Sequence, residues 1–474
     1  MVEEIVKGLT SFRQKIYGLF KSRTDATFEL VDALSSNTQA EQIVELSLNP
    51  LYRRNYCSIT RSVDEFYSDV SVDTHCMQNQ AVSSVLAEQC PPLKNRSFHL
   101  FAVDCTSNER LFSPTLLDRS PVYTARPTVP SNKPMTIGHQ YSVVAYLPEK
   151  PSNQTPPWVL PMSSERVSTE QKSTQVGMEQ ITALISRDEK FKDKLCVSVA
   201  DSAYSSALSL NEAGKNDHQV HISRVRNNRN LPRAMMNKIG KRKRGRPKQY
   251  GAAFKLPDKR TWGKPAEEIQ FQTTSQTGKV QIIKIEGWLN LTMRGKYKVE
   301  PFRLVRIQIF KENGERLFKR SLWLLTAGKK RDELSLQDII ESYRQRFDIE
   351  HFFRFGKTRL LLDKFQTPEV EHEEAWWQLA MLSYMQLYMA RQLANNLPNP
   401  WEKWLQEFKS DKLEKSPSQV QKDFTRIISE IGTPAKPPKQ RKKSRGRSQG
   451  DTQTKRQHHK VVYKGKKQRF QSSA

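Results

Sequence analysis

Tyr343-Arg344-Gln345-Arg346-Phe347-Asp348-Ile349-Glu350-His351-Phe352-Phe353-Arg354-Phe355-Gly356-Lys357 is the stretch on which the fold turns. Ser335 is suited to cap a helix running from about Leu336 to Leu361. At about 100° per residue, Tyr343, Arg346, Glu350 and Lys357 fall at roughly 0°, 300°, 340° and 320°, a single stripe. Arg354 falls beside them. Phe347, Ile349, Phe352, Phe353 and Phe355 take the remaining faces, so most of this helix must be buried. An ordinary surface pair between Arg346 and Glu350 would contribute only a few tenths of a kcal/mol. Such a pair does not explain why aromatic residues surround a polar stripe. Glu341 and Asp348 lie off it.

Working outward, the chain before this helix reads as α/β. Phe98-His99-Leu100-Phe101-Ala102-Val103 is a short apolar run that ends at Asp104. Tyr141–Leu147 and Trp158–Met162 are further strand candidates, and Met178–Ile185 reads as a helix. Leu195–Ala200 is a strand that ends at Asp201, and Val220–Ile222 is another. Strands this apolar are covered on both faces, as in a sheet with helices packed on it. In such sheets ligand chemistry gathers at the carboxyl ends of strands, which places Asp104 and Asp201 in view. Either aspartate alone could simply cap a following turn.

Between Asp201 and Glu350, residues 279–326 are rich in β-branched and aromatic residues, with Asn313-Gly314 as a hairpin turn. This predicts an antiparallel insertion. Residues 1–95 read as helices, with Ile5, Leu9, Phe12, Ile16 and Phe20 at helical spacing. A helix over about Glu371–Ala394 carries Trp376, Trp377 and several methionines and is expected to be core. The expected division is 1–96, a helical N-terminal domain; 97–225, the first part of the core; 226–331, a basic β-rich insertion; 332–395, the second part of the core; 396–433, a helical segment; and 434–474, a disordered basic tail.

The 474 residues hold 78 Lys+Arg against 50 Asp+Glu, a net charge of +28. The pI is about 9.8 and the mean hydropathy −0.71. The excess is local. Residues 1–96 are net −2, residues 224–248 hold 11 basic and no acidic residues, and residues 434–474 are net +13. A polyanionic partner follows, although a basic tail can also serve solubility alone. Lys243-Arg244-Gly245-Arg246-Pro247-Lys248 resembles an AT-hook, so Arg244, Arg246 and Lys248 are candidate minor-groove contacts. A nuclear-localisation signal would use the same residues. The N-terminus lacks a signal-peptide pattern, and no apolar run is long enough to span a membrane. Cys57, Cys76, Cys90, Cys105 and Cys196 show no CxxC spacing, which argues for a reducing compartment. The nine histidines show no metal-ligand spacing.

The spacing Tyr-x2-Arg-x3-Glu-x6-Lys, met by Tyr343, Arg346, Glu350 and Lys357, resembles the signature of a group of bacterial insertion-sequence transposases. These belong to the DDE superfamily. Asp104 in Asp-x-Thr and Asp201 in Asp-Ser-Ala-Tyr are similar to that family's two strand-end aspartates, and the order is right. The resemblance spans about residues 97–395. It implies an RNase H-like core interrupted by a β-rich insertion. It implies Asp104, Asp201 and Glu350 as catalytic carboxylates holding two Mg²⁺ ions, with Mn²⁺ able to substitute. Tyr343, Arg346, Lys357 and Arg354 would contact DNA. The implied activity is cutting at the ends of an insertion sequence and joining 3′-hydroxyls to target DNA. The implied partners are transposon ends and target DNA, with a homo-oligomer on DNA, in a bacterial cytoplasm at the nucleoid. Two other readings stay open: a catalytically silent DNA-binding protein derived from a transposase, and an RNase H-like nuclease that does not transfer strands.

Overall fold

The computed structural model describes residues 2–67, 72–125, 127–129, 133–152, 154–235, 249–275, 278–295, 297, 299–396, 414–440, 448–452 and 455–463. Four helices come first: α1 (Val2–Leu19), α2 (Thr24–Ser35), α3 (Tyr56–Asp64) and α4 (Val72–Glu88). Then follow β1 (His99–Glu109), β2 (Ser120–Tyr123), β3 (Met135–Tyr146), β4 (Leu160–Val167), α5 (Ser173–Arg187), β5 (Cys196–Ala200), α6 (Ala207–Ala213) and β6 (Gln219–Arg224). The strand-rich block holds β7 (Asn230–Ala234), β8 (Tyr250–Lys255), β9 (Glu267–Thr274), β10 (Val280–Leu291), β11 (Phe302–Lys311) and β12 (Leu322–Ala327). The chain closes with α7 (Leu336–Gln345), α8 (Asp348–Arg359), α9 (Val370–Asn396) and α10 (Pro417–Ile431). None of the described helices is long and apolar enough to cross a membrane.

The strands form one mixed sheet. β4, β3 and β1 run antiparallel to their neighbours, while β1, β5 and β6 are parallel. The parallel part has helical crossovers, as parallel pairing requires. β5 is buried at all five residues, since it lies between two strands and under helices on both faces. Beyond β6 the sheet continues without a break through β12, β11 and β10, all antiparallel. The Asn313-Gly314 turn forms as expected, with Gly314 at φ 81° and the Lys311 amide donating to the Glu315 carbonyl at 2.8 Å.

Two apolar cores result. The larger is shared by α1–α10, strands β1 and β3–β6, and Ile283, Ile285, Val305, Ile307 and Leu324 of β10–β12. α9 lies at its centre and is buried around most of its circumference, as expected of the Trp376–Trp377 stripe. The N-terminal helices pack on α9. Their buried Arg13 donates to Asp32 (3.0 Å) and to Gln386 on α9 (2.8 Å). The smaller core lies within the insertion, where Phe254, Trp262, Trp288 and Trp323 meet with ring centroids 5.0–6.2 Å apart.

Three expectations change. β1 does not end at Asp104 but continues to Glu109, because its polar second half pairs with β3 from Val143 to Gly138. The expected single helix Leu336–Leu361 is divided. Arg346 (φ −48°, ψ −37°) and Phe347 (φ −63°, ψ −14°) keep helical torsions, but the hydrogen bonds tighten to the i→i−3 pattern across them. Within the segment expected to be a disordered tail, two described stretches have fixed partners. The Ala435 and Lys436 carbonyls accept from Arg53 and Arg54, and the His459 and Val462 amides donate to Pro114 and Arg119 carbonyls at 2.8 Å.

Candidate active site

Strand register brings Asp104 and Asp201 together. Ala102 on β1 lies opposite Val199 on β5 in a parallel pair. Two residues further on, Asp104 and Asp201 reach the same level on adjacent strands, which stand about 4.8 Å apart. Asp201 is extended (φ −74°, ψ −173°), and its Oδ1 accepts from the Ala203 amide at 2.8 Å, capping a one-turn helix over Ser202–Tyr204. The capping role and a place at the strand end therefore coexist. Asp104 Oδ1 accepts from the Cys105 amide at 2.8 Å.

The helical stripe arrives over these strands. Arg346, only 6% exposed, donates from NH1 to Asp104 Oδ2 (3.3 Å) and from NH2 to Glu350 Oε1 (3.1 Å). It thereby spans two carboxylates that are 246 residues apart in the chain. Its guanidinium lies 4.4 Å from the Phe347 ring centre and 5.6 Å from that of Tyr343. The break between α7 and α8 leaves the stripe intact because the torsions stay helical through it. Glu350 stands in the first turn of α8, half exposed. Lys357, one turn from its end, donates to the Ser107 carbonyl of β1 at 2.7 Å. Arg354 is exposed on α8 and takes no part in these bonds to β1. Arg244, Arg246 and Lys248 lie outside the described residues.

The electrostatics are those of crowded carboxylates. Burial pushes the Asp104 carboxyl up to about 6; the Cys105 amide and Arg346 pull it down, while the charges of Asp201 and Glu350 push it further up. Burial raises the Tyr343 hydroxyl, opposed by Arg346 and Arg224. Burial also lowers the Lys357 ammonium, opposed by Asp363 and Glu109. Asp348, judged off the stripe from sequence, is buried and paired with Lys150 at 2.6 Å.

Several contributors carry no sequence signal. Gly177 on α5 packs so closely that a Cβ there would lie 2.8 Å from both Tyr204 Oη and Val103 Cγ1. This lets α5 press on β1 beside Asp104. Asn108 and Arg110 extend β1 under the loop after α8, bonding the Leu362, Asp363 and Phe365 carbonyls. Both also reach the buried Glu373 of α9, Asn108 at 3.0 Å and Arg110 at 2.8 Å.

Three carboxylates with oxygen donors suit a hard divalent cation such as Mg²⁺, and their mutual repulsion gives such an ion a reason to bind. They do not all come within 4.8 Å of one another; Arg346 lies between two of them. Among the described residues, the group that does close to that distance is Asp64, Glu369 and His372. There His372 Nε2 is 3.0 Å from Asp64 and 3.2 Å from Glu369. Sequence spacing could not reveal it, since His372 and Asp64 are 308 residues apart.

No curated protein matches this chain. A family described as DDE superfamily endonuclease matches residues 15–285, a span that contains Asp104 and Asp201 and ends before Glu350. That span covers more than half of the sequence and includes Asp104 and Asp201, which the register of β1 and β5 places at one level; the chain belongs to the DDE superfamily endonuclease family.

Proposed function

We propose that this protein is a DNA transposase: it cuts phosphodiester bonds at the ends of an insertion sequence and joins the freed 3′-hydroxyls to target DNA. Family membership supports a nuclease or transposase acting on DNA. The observation that carries the finer reading is the Arg346 fork, which links Asp104 on β1 to the helical Glu350. The order β4–β3–β1–β5–β6 supports an RNase H-like core. The continuation of the sheet into β12–β7 supports an insertion between the second and third carboxylates.

In this reading Asp104, Asp201 and Glu350 would hold two Mg²⁺ ions. When bound, such ions activate the attacking oxygen and neutralise charge on the departing one. The chain's own groups do the rest. The paired register of β1 and β5, which runs up to Ala102 and Val199, sets the two aspartates at one level just beyond it. Lys357 presents a point charge and Arg346 a fork to the scissile strand's phosphates. Tyr343 offers a hydroxyl. Water and a 3′-hydroxyl are both oxygen nucleophiles, so one site serves cleavage and joining. The basic runs at 224–248 and 434–474 add affinity that does not depend on sequence and falls with salt.

The test is an assay of purified protein with Mg²⁺ and DNA carrying the element's ends. D104N, D201N and E350Q are each expected to abolish cleavage while DNA binding persists. Full cleavage by all three would overturn the assignment. Cleavage without joined products would leave a nuclease that does not transfer strands.

A further inference from the structure

Arg346 divides its guanidinium between two carboxylates. Its present hydrogen bonds go to different carboxylates, one from each terminal nitrogen, at 3.3 and 3.1 Å. Those lengths are at the long end for charge-assisted bonds, so the fork is held loosely. Its Nε, though buried, makes no hydrogen bond. Phe347 and Tyr343 flank the guanidinium. The same two rings stand between Arg346, which does not itself line it, and a cavity of about 540 Å³ that also receives Arg224, Arg316, Lys319, Arg320 and Arg344. An anionic strand would be drawn to that basic side. A phosphate arriving there would offer Arg346 a planar pair of acceptors better matched than two separate carboxylates.

We propose that Arg346 is a gate that couples the two binding events: it occupies oxygens of Asp104 and Glu350 until phosphate draws it away, and only then does the carboxylate group take its divalent cation at full affinity. The inference rests on the reading of Asp104, Asp201 and Glu350 as metal ligands. Withdrawing the guanidinium leaves three carboxylates facing one another, a repulsion that a doubly charged cation relieves. DNA and cation therefore each raise the affinity for the other, as linkage requires. The effect is to keep the ions from being held before the substrate is in place.

The experiment is Mn²⁺ binding to the full-length protein, read from the paramagnetic resonance of free Mn²⁺, without DNA and then with a blunt duplex. R346Q and R346K are each expected to bind Mn²⁺ roughly tenfold more tightly than the unaltered protein without DNA, which is about 1.4 kcal/mol. The duplex should raise the affinity of the unaltered protein and raise that of the variants much less. Lys keeps the charge and loses the fork. An effect in R346Q that is absent in R346K would mean simple charge repulsion and overturn the gate, as would no effect in either. Should R346Q fail to fold, R346K decides alone. Adding D104N and E350Q to R346K must remove the gained site. If the gained binding survives those changes, the metal-ligand assignment fails and the gate with it, whereas unchanged binding in R346Q and R346K overturns the gate alone.

Discussion

Replacing Glu373 by Gln should cost the fold about 3–5 kcal/mol at neutral pH, and the cost should vanish in acid. Glu373 stands in the first turn of α9 and is 1% exposed. It binds Arg110 (2.8 Å), Asn108 (3.0 Å) and His139 (2.5 Å), all buried. Burial alone would push its carboxyl up. The charge of Arg110, the bond and charge of His139 and the Asn108 amide outweigh burial and hold it at about 2, against an ordinary value of 4.5. That gap corresponds to about 3 kcal/mol of stability. Leaving a buried cation without its partner gives a cost of about 3–5 kcal/mol by a separate route. The sign follows from the direction. A depressed carboxyl stabilises the fold fully above pH 4.5, and the contribution drains away as pH falls from there towards 2. Urea titrations of both proteins, followed by tryptophan fluorescence, would measure the gap. Trp376 stacks on Phe365 at 4.9 Å in the same region and reports the transition. A gap below about 1 kcal/mol at pH 7, or one unchanged between about pH 7 and pH 3, would refute the reasoning.

Further outcomes are expected elsewhere. G177V should destabilise by about 1–3 kcal/mol, because the added carbons meet Tyr204 and Val103 at the back of the site; an unchanged melting temperature would show that α5 can shift at no cost. W323A should cost about 3–5 kcal/mol by opening the insertion's aromatic core; near-ultraviolet dichroism should lose intensity from this cluster while α9, at the centre of the larger core, keeps its hydrogen-exchange protection. Removing residues 441–474 should flatten the salt dependence of DNA affinity by about 0.9 for each phosphate the tail neutralises; an unchanged slope would show that the tail does not touch DNA.

Much of this was legible in the chain itself. Apolar runs marked β5 and the start of β1, because strands buried on both faces admit few polar residues. Helical spacing put Tyr343, Arg346, Glu350 and Lys357 on one stripe, and local torsions preserve it even where α7 gives way to α8. Other features were invisible for a physical reason. The second half of β1 is polar, and it is a strand only because β3 pairs with it. That Asp104 and Asp201 stand level depends on the register Ala102 to Val199, which long-range packing sets. Asn108, Arg110 and Glu373 look like surface residues in the sequence. They are buried because β1, the loop after α8 and α9 converge and satisfy one another's hydrogen bonds.

The chain by itself singles out the side chains proposed to do chemistry here: three carboxylates, a fork, a lysine and a tyrosine at fixed intervals. Local rules of helix and strand geometry suffice for that, since they act over a few residues. Only the tertiary structure decided how those groups meet. Arg346 bridges Asp104 and Glu350 because the sheet and a tightened helical joint bring Arg346 within hydrogen-bond reach of Asp104, 242 positions away. Contacts of that range depend on the whole core closing at once, and no short stretch of sequence encodes them.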